Sequence, residues 1–119
     1  MLTKPNPLKR VPRGTSKVSG TESLLLNQLM RWLFEQGALP IRVNSGAAKV
    51  GRRWVRFNSQ PGCSDILCCW HGRLVAIEAK SPTGRQRPDQ AKFEASVQAA
   101  GGRYILCTSL EGAKKCLIP

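Results

Sequence analysis

The order of hydrophobic periods along the chain predicts an α/β fold, a mixed β-sheet flanked by helices, with elements in the order α-β-β-β-β-α-β-α. Apolar residues recur at steps of three and four in two segments that glycines close. Between and after those segments they alternate with polar residues at period two, as half-buried strands require. With 119 residues, 41% of them hydrophobic, the chain supports a single domain with one modest core, which excludes a two-domain enzyme.

Residues 1–20 hold Pro5, Pro7, Pro12, two glycines and five cations without an acid, the composition of a basic, flexible N-terminal arm; residues 21–119 read as the domain. Ser19 and Thr21 are candidate N-caps of the first helix, and Ser19-Gly20-Thr21-Glu22 fits a capping box. Leu26, Leu29 and Leu33 follow Glu22 at helical steps, so Glu22 heads the buried stripe, and Gly37 ends the helix. Ile41–Asn44 and Trp54–Phe57 alternate as strands, with residues 45–53 as the loop between them. Pro61-Gly62 marks a turn. Asp65–Trp70 and Arg73–Lys80 form a central hairpin about His71-Gly72. Pro88 suits the first position of a second helix, whose stripe is Phe93, Val97 and Ala100 and whose stop is Gly101-Gly102. Tyr104–Thr108 is a last strand, and residues 110–117 make a closing helix.

The net charge of +12 divides into +5 on the first twenty residues and +7 on the remainder, so the body is basic in its own right. Such a surface attracts polyanions. Lys49, Arg52, Arg53 and Arg56 are its densest basic group, placed to contact phosphates, with Arg85 and Arg87 next. Trp54 and Trp70 are expected in the core, with base stacking the lesser alternative. No run of 18 apolar residues and no signal-peptide pattern occurs, which predicts an intracellular protein with no membrane partner. The five cysteines include the neighbours Cys68 and Cys69, which a strand points to opposite faces. That geometry argues against a disulfide framework and against a zinc site built from Cys63, Cys68, Cys69 and His71.

Three acids fall where acids are unexpected: Glu22 on the inner stripe, Asp65 at a strand start, and Glu78 within an apolar run. A carboxylate near a core costs several kcal/mol unless it is paired or bound to metal. Glu78 and Lys80 project from one face of their strand, and the hairpin brings Asp65 across from Glu78. Asp, twelve residues, then Glu-Ala-Lys is an arrangement suited to metal-dependent phosphodiester hydrolysis, with hard oxygen ligands for Mg²⁺ or Mn²⁺. The three acids and Lys80 together carry a charge of −2, which one divalent ion would balance.

Pro61-Gly62-Cys63-Ser64-Asp65, Glu78-Ala79-Lys80, Gln90, the upstream Glu22 and the Arg42–Gly46 segment resemble the virus-type replication-repair nucleases (VRR-NUC) of the PD-(D/E)xK superfamily. The resemblance covers residues 21–110. It implies a restriction-endonuclease-like core and a metal site formed by Glu22, Asp65, Glu78 and the Ala79 carbonyl, with Lys80 and Gln90 assisting. It also implies a stand-alone, cytoplasmic protein of bacterial or phage type, acting as a homodimer on branched DNA, with the four-way junction as leading substrate. A nicking or flap nuclease with the same site is the alternative within enzymes, and a non-catalytic basic nucleic-acid-binding protein the alternative outside them. For Glu22 the competing role is that of a capping glutamate; for Asp65 and Glu78 it is a structural salt bridge with Lys80.

Overall fold

A computed structural model describes residues 20–43, 47–56 and 58–118. The predicted arm, apart from Gly20, lies outside these residues, as do Ser19, Asn44, Ser45, Gly46 and Phe57. Along the described chain run α1 (Gly20–Glu35), β1 (Leu39–Arg42), β2 (Ala47–Val50), β3 (Arg53–Arg56), β4 (Ile66–Trp70), β5 (Arg73–Ala79), α2 (Pro88–Ala99), β6 (Arg103–Cys107) and α3 (Leu110–Leu117).

Helix α1 forms on its leucine stripe: Leu26, Leu29 and Leu33 are fully buried, with Leu25, Met30 and Trp32 beside them. Both predicted glycine stops are Schellman motifs. Gly37 has φ +83°, with Ala38 N–H on Leu33 O and Gly37 N–H on Phe34 O. Gly101 has φ +92°, with Gly102 N–H on Val97 O and Gly101 N–H on Gln98 O. The left-handed conformation at these positions closes each helix onto its own last carbonyls.

β1, β4, β5 and β6 lie side by side in that order, β1/β4 and β4/β5 antiparallel and β5/β6 parallel, with α2 as the crossover. The β4–β5 hairpin turns on His71 and Gly72, both at positive φ (53° and 72°), the conformation of a type I′ turn whose twist matches the strands. One face of the sheet, including Ile66, Cys68, Val75, Ile77, Ile105 and Cys107, packs under α1 and α3. Ala76 and Tyr104 on the other face meet Val97 and Phe93 of α2. On that second face α2 leaves Leu39, Ile41 and Leu74 exposed, in rows that the register runs across β1, β4 and β5. Cys68 points inward and Cys69 outward, as alternation predicts.

Two cations are spent on architecture: Arg73 Nε donates to Gly101 O at 2.8 Å and Arg103 Nη2 to Cys116 O at 2.6 Å, each satisfying a carbonyl at a helix C-terminus. Among the described residues, no helix is long and apolar enough to cross a membrane.

The structure departs from the sequence expectations between β1 and β4. Residues 45–53 are not all loop: Ala47–Val50 is a strand, paired antiparallel with β3 as a separate two-stranded ribbon. Gly51 (φ +63°) and Arg52 form its two-residue turn. Ala-Ala-Lys-Val shows no period of two because β2 has no face against the core, and β3 is exposed on both faces rather than half-buried. Trp54, expected inside, is 73% exposed, whereas Trp70 packs edge-on to Trp32 at 5.7 Å. Ala100 is also exposed rather than on the inner stripe, since α2 ends one residue earlier.

Truncating Leu29 tests where the core sits. Leu29→Ala is expected to lower stability by about 2–5 kcal/mol in a urea unfolding experiment, and the exposed Leu24→Ala on the same helix to change it by less than about 0.5 kcal/mol.

Candidate active site

The β4–β5 register, with Ile66 opposite Ile77, sets Asp65 opposite Glu78 at the open end of the hairpin. Each residue leading into Asp65 is fixed. Gly62 (φ +72°) comes so close to the first turn of α2 that a Cβ there would overlap the Asp89 carbonyl and lie 2.6 Å from Gln90 N. Ser64, fully buried, donates from Oγ to Ile66 O at 3.0 Å. The Asp65 carbonyl accepts from Val43 N–H at 2.9 Å, and its Oδ2 accepts from Ala79 N–H at 2.9 Å. The Pro-Gly loop therefore holds the acid, the end of β1 and the start of α2 in one place.

Glu78 is 4% exposed and projects to the α2 side of β5. Its Oε2 lies 3.7 Å from Lys80 Nζ and accepts from Gln90 Nε2 at 3.2 Å. Gln90 is itself held: its Oε1 accepts from Arg87 N–H at 2.9 Å, so the side-chain amide that meets Glu78 also closes the first turn of α2. Glu78 Oε1 is buried and has no hydrogen-bond donor.

The register brings the Asp65 and Glu78 carboxyls close enough for the charge of each to act on the other, an arrangement that two negative groups hold at a cost unless a proton or a cation offsets it. Burial, and then the charge of Asp65, push Glu78 up to about 8; Lys80 and Arg87 pull it back. Burial also raises Asp65, against the hydrogen bond from Ala79 and the charges of Arg42 and Lys80. Both acids therefore hold a proton more tightly than exposed carboxyls do, Glu78 the more strongly.

A hard divalent cation fits this donor set. Two adjoining carboxylates, one with a buried oxygen lacking a donor, match the one or two carboxylates that Mg²⁺ takes alongside water and substrate oxygens. The expected third acid does not join them. Glu22 is half-buried in the first turn of α1, and among the described residues no three His, Cys, Asp or Glu side chains are placed to hold a metal ion. The sequence-derived charge of −2 becomes −1 for Asp65, Glu78 and Lys80. Ala79 contributes its N–H to Asp65 and buries its side chain on the opposite face.

Of the predicted site residues, the fold gathers Asp65, Glu78, Lys80 and Gln90. Arg87 is the N-cap of α2, ion-paired with Asp89 at 3.3 Å, and Arg85 is exposed on the loop before it. Lys49, Arg52, Arg53 and Arg56 lie on the β2–β3 ribbon, all exposed. Sequence reasoning missed Arg42 and Cys63. Arg42, at the end of β1, places its charge near Asp65, although burial lowers its own pKa. The buried Cys63 thiol is raised by burial and by the charges of Glu78 and Asp65, which keeps it neutral beside the pair. Cys63 lies inside the Pro-Gly loop motif, which was its available signal; Arg42 is visible only through strand pairing.

The chain matches no family model, no curated protein and no solved structure.

The pair fixes the sign of a pH effect. Glu78 binds its proton more tightly in the folded chain (about 8) than at its ordinary value of 4.5, so its contribution to stability is full below 4.5 and is lost as pH rises towards 8. In EDTA, the stability of the wild type relative to Glu78→Gln is expected to fall across that window by up to about 1.4 kcal/mol per pH unit. A difference that stays flat with pH in urea unfolding would contradict the raised proton affinity of Glu78.

Proposed function

We propose that this chain is a divalent-metal-dependent endonuclease that hydrolyses phosphodiester bonds in branched DNA, a VRR-NUC protein of the PD-(D/E)xK superfamily acting as a homodimer on four-way junctions. The observation that carries the reading is the Asp65–Glu78 carboxyl pair, with Lys80 and Gln90 both on Glu78 Oε2. A structural salt bridge would need one carboxylate for one ammonium. Here a second carboxyl stands opposite the first and raises it further, at a cost in desolvation and repulsion that a fold has no reason to bear unless the pair binds something.

In this reading Asp65 and Glu78 hold Mg²⁺ or Mn²⁺. The ion would supply a lowered pKa for water and positive charge against the reacting phosphate. The protein's own groups do the rest. Gln90 holds the Glu78 carboxylate in one orientation, and the backbone N–H of Ala79 does the same for Asp65. Lys80, its side chain 13% exposed, has its ammonium at the edge of the pair, where it can donate to the attacking water or to a phosphate oxygen. A proton on Glu78 must leave before its carboxylate takes up the ion, so cation affinity rises with pH up to about 8. With a divalent ion the pair and Lys80 carry +1, opposite in sign to a single phosphodiester.

Homodimer formation follows from the substrate: one small domain cuts one strand, and paired incisions at a four-way junction need two sites related by symmetry. The exposed Leu39, Ile41 and Leu74 lie on the same sheet face as Glu78 and give a second copy apolar surface to bury there.

A labelled four-way junction tests the reading. Cleavage is expected with Mg²⁺ or Mn²⁺ and is expected to stop in EDTA; Lys80→Ala should lose about 100-fold or more in rate while still retaining the junction. Cleavage that persists in EDTA, or at full rate in Lys80→Ala, removes the mechanism. A junction left intact under all metal conditions, yet bound in a salt-dependent way, assigns the protein to non-catalytic binding. Sedimentation at 13.1 kDa under working conditions would remove the paired-incision geometry.

A further inference from the structure

The β2–β3 ribbon is the part of the molecule that the core does not account for. Its strands pack chiefly on each other, and a lone two-stranded ribbon is marginal in water. It nevertheless displays Trp54 at 73%, Val50 at 63% and Val55 at 44% exposure. Both ends of the insertion return to the carboxyl pair, where Val43 N–H bonds Asp65 O.

Directly opposed residues of an antiparallel ribbon share a face. The register pairs Lys49 with Trp54 and Ala47 with Arg56, so the indole stands on one face with Lys49 across from it and Arg56 two residues along its own strand. Arg52 is in the turn, and Arg53 lies on the opposite face with Val50 and Val55. No Asp or Glu occurs between Glu35 and Asp65, so the segment carries no acid to offset these cations.

An aromatic face flanked by cations complements a base with its neighbouring phosphates. The base must be unpaired, because a duplex keeps its bases stacked on one another and shows no free π-face to a surface side chain. An acidic peptide would use the cations and leave the indole in water. A second copy docked ribbon to ribbon would cover the indole but set Lys49 and Arg56 of that face against their own like charges. The geometry points to Trp54 as a stacking platform for an unpaired DNA base, with Lys49 and Arg56 on the phosphates beside it. This rests on the nuclease reading for its DNA partner and deepens it: the ribbon supplies preference for branch points, where bases leave the stack.

The test is binding in EDTA, measured by fluorescence anisotropy on a labelled single-stranded oligonucleotide and on the same sequence as a duplex. Trp54→Ala is expected to weaken single-strand binding about tenfold and duplex binding less than twofold, with Trp54→Phe retaining most of the affinity. Arg56→Gln is expected to weaken both and to reduce the salt slope by about one. The exposed position of Trp54 predicts an unchanged unfolding midpoint for its variants, which controls for misfolding. Equal losses on both DNAs in Trp54→Ala, or no loss on either, overturn the inference, as does a Trp54→Ala variant whose only change is a lower sedimentation mass. The outcomes separate from those of the nuclease reading. A protein that cuts junctions while Trp54→Ala binds like wild type loses only the platform; one that never cuts but shows the single-strand-selective loss keeps the platform and loses the nuclease.

Discussion

Two carboxyls that face each other across a buried strand pair are an unfavourable contact, and much of the architecture of this chain serves to keep that contact in place. Glu78 is buried and Asp65 opposes it only because the β4–β5 hairpin has one register. A slip of one residue would turn Glu78 to the face packed under α1 and α3, where Ile77 and Ala79 now lie. The His71-Gly72 turn fixes the register from one end, and the Ala79 N–H on Asp65 fixes it from the other, while Val43 N–H ties β1 to the same residue. Helix α2 is tied into the same constraint, since Gly62 admits its first turn and Gln90 joins that turn to Glu78.

The elements that bury a face were readable from the sequence because burial imposes a period. The Leu26, Leu29 and Leu33 stripe, the two glycine stops and the central hairpin all leave such a mark, and so does the opposition of Asp65 to Glu78, which follows from a tight turn and strand alternation. Gln90 entered with the motif resemblance, and its place three residues before Phe93 puts it at the head of the same inward helical face. The β2–β3 ribbon was not, because a strand exposed on both sides has no apolar period, and Trp54 was misplaced because size and hydrophobicity favour burial in general. For Glu22 helical phase tells which side of α1 the residue is on, and among the described residues it does not complete a three-acid group with the pair. Arg42 approaches Asp65 through pairing between β1 and β4, a non-local relation that no spacing within the sequence encodes.

The basic excess also divides once its members are placed. Arg73 and Arg103 close helix ends, Lys80 and Arg87 act on Glu78, and Arg42 acts on Asp65. The cations of the ribbon have no such duty towards the core, being exposed on a segment that packs mainly on itself. A net charge is therefore a poor guide to a binding surface until the structural cations are subtracted from it.

The same self-contained ribbon has a consequence for how such a chain can diverge. Its two ends are brought together by the hydrogen bond between Val43 and Asp65, so from the standpoint of the sheet the insertion is a closed loop. The entropy of closing a loop grows only with the logarithm of its length, about 0.6 kcal/mol for each doubling. Residues can thus be added to, removed from or exchanged in the ribbon at little cost to the scaffold. Natural variation could rewrite what the protein grips while leaving intact the chemistry at the point where the loop closes.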